Sequence, residues 1–128
     1  MTIELWMLLG STAILFILVM LQQLNIDLTV GAKYALSNRS DIIAKTPLGG
    51  RIDRAIMNLR ENLVLFIPVV LVLAVAEVST GVTQSGAVVF FVARIIHAVT
   101  YVLGITVIRS FSWFAGIIAI GMMLSALF

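Results

Sequence analysis

The sequence predicts an all-α integral membrane protein, folded as a four-helix transmembrane bundle. Of its 128 residues, 62 % are hydrophobic and 11 % are charged, whereas about a quarter of the residues in a soluble domain are charged. The mean hydropathy is +1.18. Four spanning helices of about 20 residues each would use nearly the whole chain. We therefore expect one transmembrane domain over residues 1–128 and no separate soluble catalytic domain.

The first predicted helix covers about residues 4–22, because the run from Leu5 to Leu21 is almost wholly apolar. A cleaved signal peptide is the competing interpretation, but such a peptide begins with basic residues, and the only charge here is Glu4. The segment 23–50 is polar and ends in the turn-forming sequence Thr46-Pro-Leu-Gly-Gly. It is predicted to be a loop with some interfacial helix.

The second predicted helix covers about residues 51–76, is polar over its first third, and contains Pro68, which predicts a kink. A short turn leads to the third helix, over about 86–106. The fourth helix covers about 110–127. Within it, small residues at Ser112 and Gly116 permit close helix packing.

Basic residues predict the orientation of the bundle, because Lys and Arg concentrate in cytoplasmic loops. The amino terminus, the second loop and the carboxyl terminus contain none. The first and third loops are therefore expected to be cytoplasmic, with both termini on the opposite side. The basic residues of the first loop and its junction with the second helix are Lys33, Arg39, Lys45, Arg51, Arg54 and Arg60.

Several classes of chemistry are excluded by composition. The chain has no cysteine and one histidine, His97, which excludes disulfides, protein thiolate nucleophiles, iron–sulfur clusters and the usual zinc sites. No metal is expected, and any reacting thiol must come with a substrate. A net charge of +2 carried by scattered cations does not indicate nucleic-acid binding.

Polar side chains form a stripe on each of the second and third helices, at intervals of three and four residues. Because the two helices are antiparallel and the stripes lie at similar depth, they predict a polar cleft on the side of the first loop. Glu61 and Arg94 fall at matching depth and are predicted to form a buried pair that holds the helices together. Arg60 and Asn62 lie outside the stripe. The two stripes are Arg54, Asn58 and Glu61, and Arg94, His97 and Tyr101.

Arg109 and Ser110 add a cation and a hydroxyl near the start of the fourth helix, where free backbone N–H groups favour an anion. Simpler interpretations remain open for several residues. His97 can serve as an interhelical hydrogen-bonding residue and Tyr101 as an interfacial anchor, while Arg54 and Arg109 can be positive-inside residues.

Three motifs occur in order: Arg51-Ile-Asp-Arg-Ala-Ile-Met-Asn-Leu-Arg-Glu-Asn, Ala93-Arg-Ile-Ile-His-Ala-Val-Thr-Tyr-Val-Leu-Gly and Ile108-Arg-Ser-Phe-Ser-Trp. The chain resembles, over its whole length, the membrane-associated proteins in eicosanoid and glutathione metabolism, the MAPEG family. The resemblance implies a homotrimer of four-helix subunits. It also implies glutathione as co-substrate, bound between neighbouring subunits near the cytoplasmic side and attacking lipophilic substrates as a thiolate.

Matching the motifs assigns roles to individual residues. The resemblance implies that Arg109 and Ser110 are catalytic and lie nearest the thiol, with Arg94 supporting Glu61. A nearby cation and a helix amino terminus lower the pKa of a thiol. Two positions depart from the family pattern, since Met57 replaces an Arg and Trp113 a Tyr that other members have. The residues matched to glutathione contacts are Arg54, Asn58, Glu61, His97 and Tyr101.

Three functions follow from these observations. The first is a glutathione-dependent transferase or peroxidase that acts on a lipophilic small molecule entering from the membrane lipids. The second is a non-catalytic ligand-binding or scaffold protein of the same fold. The third is a small transporter, which would need an acid free to exchange protons and is disfavoured by the predicted pairing of Glu61 with Arg94.

Overall fold

The computed structural model describes residues 1–128 and contains helices but no strands. Four of its helices are long and apolar enough to cross a membrane. The prediction of an all-α integral membrane protein with four spanning segments is therefore confirmed. The helices are α1 (Ile3–Thr29), α2 (Ala32–Ala35), α3 (Pro47–Val75), α4 (Gly81–Leu103) and α5 (Val107–Ser125).

The four long helices alternate in direction, so the bundle has two distinct ends. We call the end with the 30–46 segment and the α4–α5 turn the loop end, and the end with the α3–α4 turn the far end. Helix α4 packs on α1, α3 and α5, and α1 also packs on α3. The central position of α4 brings its polar residues against two neighbouring helices.

Helix α1 continues to Thr29, seven residues beyond the predicted end at residue 22. The additional turns are polar, but their side chains have partners. Gln23 Nε2 donates to Asp27 Oδ1 at 2.9 Å within the helix, and Gln22 Nε2 donates to Asp53 Oδ1 of α3 at 2.5 Å. The change in polarity at Gln22 therefore marks the end of the apolar span and not the end of the helix.

Local capping begins two of the other helices earlier than the predicted boundaries. Thr46 Oγ1 accepts from the Gly49 backbone N–H at 3.0 Å, and Pro47 occupies the first turn of α3. At α4, the Thr80 and Thr83 hydroxyls each accept from the backbone N–H of the other. These caps place the starts at Pro47 and Gly81, where residues 51 and 86 were predicted.

The core lies where α1, α3, α4 and α5 meet. Its central feature is the stacked pair Phe66 and Phe90, fully buried and with ring centroids 3.8 Å apart. Apolar residues from all four long helices surround this pair. The apolar core fixes α4 against α3, which sets the height of the polar residues nearer the loop end.

The turn between α4 and α5 is short and closely held. Gly104 has a φ of +79°, a left-handed conformation that ends α4 and that other residues adopt at a cost. Arg51 of α3 donates from Nε to the Val102 carbonyl at 3.0 Å. Helix α5 then begins at Val107, three residues before the predicted start at 110. Arg109 consequently lies in the first turn of α5.

Candidate functional site

A polar pocket of about 230 Å³ opens between α3, α4 and α5 in the loop-end half of the bundle. It brings together five of the residues that the sequence singled out, together with two aromatic side chains of α5. Six of the seven come from α4 and the beginning of α5. The lining residues are Asn58, His97, Tyr101, Arg109, Ser110, Trp113 and Phe114.

Tyr101 connects the histidine and the arginine of the pocket. His97 lies one turn before it on α4, and the two ring centroids are 5.2 Å apart with the planes tilted by 58°. On the other side, the Arg109 guanidinium carbon lies 4.6 Å from the centroid of the Tyr101 ring. This cation–π contact orients Arg109 of α5 against α4.

The amino terminus of α5 forms the mouth of the pocket. No side chain caps it at Thr106, and the first backbone N–H groups of a helix have no acceptor within the helix. The Ser110 hydroxyl donates to the Thr106 carbonyl at 3.3 Å and is exposed. A guanidinium, a hydroxyl and a helix amino terminus at one opening favour an anionic group.

Arg94 lies behind the pocket and is 1 % exposed. One terminal nitrogen donates to Asn58 Oδ1 at 3.3 Å, and the other donates to the Ser112 carbonyl at 3.0 Å. Its Nε has no partner. All its hydrogen-bond partners are neutral, so Arg94 holds three helices together while its positive charge remains next to the pocket.

The predicted pairing of Arg94 with Glu61 is wrong within the single chain. Glu61 is exposed and lines a surface depression of α3 with Met57, Arg60 and Val64. The one ion pair in the chain joins Lys45 and Asp53. Arg94 does meet α3 at the predicted depth, where Asn58 lies. One turn further along α3, however, the residue that faces inward is Asn62 and not Glu61. Because Glu61 is not paired with Arg94 in the single chain, this pairing no longer disfavours a transporter.

Arg54 is exposed as well and does not line the pocket of its own chain. Together with Met57 and Glu61 it forms an exposed face of α3. In the single chain, therefore, Asn58 is the only member of the α3 stripe that reaches the pocket.

Two residues that complete the site were missed. Asn62, placed outside the stripe, is 3 % exposed and donates to the Asn58 carbonyl at 2.8 Å and to its Oδ1 at 3.2 Å. Gly116, read as a packing residue, lies where an added Cβ would come within 2.9 Å of Arg94 Cζ. Asn62 could have been predicted, because residues four apart lie on the same face of a helix and Asn62 follows Asn58 by four.

The pocket is electropositive, because its one charged lining residue is Arg109 and Arg94 lies directly behind it. No carboxylate lines it, and no group of three or more His, Asp or Glu side chains in the chain is arranged to hold a metal ion. Its chemistry is hydrogen bonding and the stabilisation of negative charge.

The four spanning helices define a multi-pass membrane protein, and the chemistry of its pocket favours a polar group with negative charge. The chain belongs to the MAPEG family, whose sequence model matches residues 4–128. Comparison with curated proteins and with solved structures gave no match. Membership supports a glutathione-related function at a membrane in general terms, and members of the family are generally oligomeric.

Proposed function

We propose that the protein is a membrane-bound glutathione-dependent transferase or peroxidase. In this proposal it ionises the glutathione thiol and directs the thiolate at a lipophilic electrophile. The observation that carries the proposal is the position of Arg109, in the first turn of α5 and lining one pocket with Ser110, His97 and Tyr101. These residues come from two separate motifs that meet at a single opening.

The chemistry assigned to Arg109 follows from its charge and position. A free thiol has a pKa of about 8.5 and is mostly protonated at neutral pH. A guanidinium and the amino terminus of α5 stabilise the thiolate and so lower the pKa of a thiol bound between them. The Ser110 hydroxyl would turn from the Thr106 carbonyl to donate its hydrogen bond to the same sulfur. The thiolate then attacks an electrophilic carbon and either displaces a leaving group or adds to a conjugated double bond, which takes up a proton. With a peroxide, it attacks one oxygen and breaks the O–O bond, so that an alcohol leaves after protonation. The glutathione sulfenic acid formed in that step condenses with a second glutathione to give the disulfide and water.

The remaining contacts to glutathione are assigned to α3 and α4. Asn58, His97 and Tyr101 line the pocket directly. Arg54 would hold a glutathione carboxylate through a bidentate contact, and Glu61 would bind another part of the molecule. Arg94 supports the site through its hydrogen bond to Asn58.

A homotrimer with shared sites accounts for the exposed positions of Arg54 and Glu61. The pocket of one chain, about 230 Å³, is smaller than the 300–1,000 Å³ typical of ligand sites, at roughly three quarters of the lower limit. An exposed carboxylate on a spanning helix is also unfavourable in lipid. A neighbouring subunit that brings the α3 face against a pocket would enlarge the site and cover Glu61. Both features support a site formed between subunits, on the side we assign to the cytoplasm.

Phe114 supports a lipophilic second substrate. It lines the pocket and is 59 % exposed on the outer surface of α5. The polar pocket is therefore adjacent to a surface that faces the bilayer. An apolar electrophile dissolved in the lipid would reach the sulfur past Phe114, with glutathione bound on the polar side.

Trp113 favours a second candidate, a non-catalytic ligand-binding or scaffold protein of the same fold. Its indole lines the pocket at a position where other members of the family have Tyr. A hydroxyl near the sulfur is thereby replaced by a bulkier ring. In this alternative, glutathione or another polar ligand binds without ionisation of its thiol.

The deciding experiment is an ultraviolet titration of the purified protein with glutathione near neutral pH, following thiolate absorbance. The wild type should give a saturable signal, Arg109→Ala should lose it together with turnover, and Lys33→Ala should behave as wild type. Cross-linking in mild detergent checks that the oligomer remains intact. Retained turnover in Arg109→Ala would exclude it as the thiolate stabiliser. Binding without a thiolate signal would favour the second candidate.

A further inference from the structure

A second cavity lies at the loop end, apart from the polar pocket. It is enclosed by the last turns of α1, by α2, by the segment leading to Thr46 and by the start of α3, with a volume of about 350 Å³. None of its lining residues also lines the polar pocket. We call it the loop-end cavity.

Apolar side chains form one part of the loop-end cavity. Ile26 of α1 and Val30, the residue directly after α1, line one side, and Ile42 and Ile43 line it from the opposite segment. Ile42 is fully exposed, so an apolar side chain projects outward at the rim. An exposed apolar rim beside a polar loop is characteristic of the level at which headgroups meet acyl chains.

Basic side chains form another part of the cavity. Arg39 and Lys45 both line it, and Asp41 is the one carboxylate that does so. Lys45 is also paired with Asp53, which holds its ammonium at the cavity. Because Lys45 already has an anionic partner, Arg39 is the lining cation that has no ion-pair partner.

Arg39 is held in place by contacts that leave its charge uncompensated. Its guanidinium donates to the Ala35 carbonyl at 3.2 Å and to Gln23 Oε1 at 3.3 Å, both neutral oxygens. Its backbone has a φ of +52°, a conformation that costs free energy for a residue other than glycine. A strained residue whose cation is fixed at the wall of a cavity is suited to binding an anion.

Gln22 supplies the polar end of the cavity. Its Nε2 donates to Asp53 Oδ1 at 2.5 Å and to the Gly49 carbonyl at 3.3 Å. These two hydrogen bonds hold the Gln22 side chain against the start of α3 and so fix one wall of the cavity.

We propose that the loop-end cavity binds one anionic phospholipid, such as phosphatidylglycerol. The phosphate lies against Arg39, and an acyl chain leaves past Ile42 into the bilayer. The two features meet at one cavity, and neither depends on the glutathione site. Failure of either proposal would leave the other standing.

The test uses the full-length protein in mild detergent, with the number of bound lipids measured by native mass spectrometry. Phosphatidylglycerol should bind as one molecule per chain and at least tenfold more tightly than phosphatidylcholine with the same acyl chains. Arg39→Gln should weaken it about fivefold, the effect expected for one cation near an anionic headgroup. The matched control is Lys33→Gln, which removes one charge from the same segment but not from the cavity, and it should bind as wild type.

A second variant tests the cavity independently of charge. Ala44 lines the cavity and is exposed, so Ala44→Trp should fill the space, abolish phosphatidylglycerol binding and leave the fold unchanged. Equal losses of lipid affinity in Arg39→Gln and Lys33→Gln, or equal affinities for the two lipids, would overturn the proposal. Either result would show that lipids are attracted to the charge of the whole segment and not bound at the cavity. Displacement of the lipid by an equal concentration of soluble glycerol phosphate would overturn the choice of a lipid as the ligand.

Discussion

At the residue scale, Arg94 joins the three helices that form the site. It is buried without an anionic partner and bonded to neutral oxygens of α3 and α5. A charge in that position is tolerated only where its hydrogen bonds are well placed. The space for it comes from Gly116, where an added Cβ would come within 2.9 Å of Arg94 Cζ.

Gly116→Ala is therefore expected to destabilise the protein by about 1–3 kcal/mol, the usual cost of overpacking a filled site. The matched control is Gly121→Ala in the same helix, where an added Cβ meets nothing within 4 Å and a gain of about 0.5–1 kcal/mol is expected from helix propensity. Thermal unfolding in detergent measures both changes. Equal stabilities of the two variants would contradict the close contact.

Tyr101 provides a second test at this scale, because its ring lies against the Arg109 guanidinium. Tyr101→Phe keeps the ring face and should retain most of the thiolate absorbance with glutathione. Tyr101→Leu removes the ring face and should reduce it several-fold, in line with the loss of a cation–π contact of about 1 kcal/mol. An equal loss in both variants would show that the hydroxyl contributes and that the ring does not.

Contacts between residues close together in the sequence could be predicted, whereas contacts between separate helices could not. His97, Tyr101, Arg109 and Ser110 could be grouped because helical spacing and a short turn bring them together. The partner of Arg94 could not, since depth along a helix says nothing about how the helix is rotated relative to its neighbours. Rotation is set by core packing, and it turned Asn58 inward and Glu61 outward.

At the scale of elements, Glu4 ties the start of α1 to the start of α4. It is 1 % exposed, and its carboxylate accepts from the Thr83 hydroxyl at 2.5 Å and from the Ser79 hydroxyl at 3.1 Å. A carboxylate beside the first turn of a helix is stabilised by the helix dipole. In the sequence, Glu4 served only as evidence against a signal peptide. Its contact with Thr83 could not be predicted, because the two residues are 79 positions apart in the chain.

Glu4→Ala is expected to lower the free energy of unfolding by about 1.5–3 kcal/mol, because the hydrogen bonds that the Thr83 and Ser79 hydroxyls donate to a charged group are lost. Glu4→Gln keeps an acceptor oxygen and should lose less. Denaturant unfolding in detergent measures the difference, and the glutathione titration should be unchanged because Glu4 lies at the far end. Wild-type stability in Glu4→Ala would show that the contact between Glu4 and the start of α4 does not stabilise the fold.

At the scale of the whole molecule, charge is distributed unevenly between the two ends. Of the eight Lys and Arg residues, six belong to the loop end or to the helix turns nearest it, and only Arg60 and Arg94 lie deeper in the bundle. The far end carries Glu4 and Glu77. The number of spans could be predicted because hydropathy alone decides it. The contacts between subunits could not, because they depend on surfaces such as the exposed α3 face that carry no sharp association motif.

The uneven distribution predicts that the loop end faces the cytoplasm. The chain has no cysteine, so single-cysteine variants can be labelled without background. Ser40→Cys should react with a membrane-impermeant maleimide only after cells are opened, and Val82→Cys should react with intact cells. The reverse pattern would invert the assigned orientation and place the proposed glutathione site on the opposite face.

The shortness of the α4–α5 turn has a consequence for biosynthesis. Six of the seven residues that line the polar pocket lie between His97 and Phe114, and Asn58 is already in place when they are translated. The pocket is thus a late product of synthesis that forms only when the last helix inserts. A chain that ended before Phe114 would lack most of α5 and part of the pocket wall, so the pocket is complete only after the last helix has left the ribosome and joined the bundle.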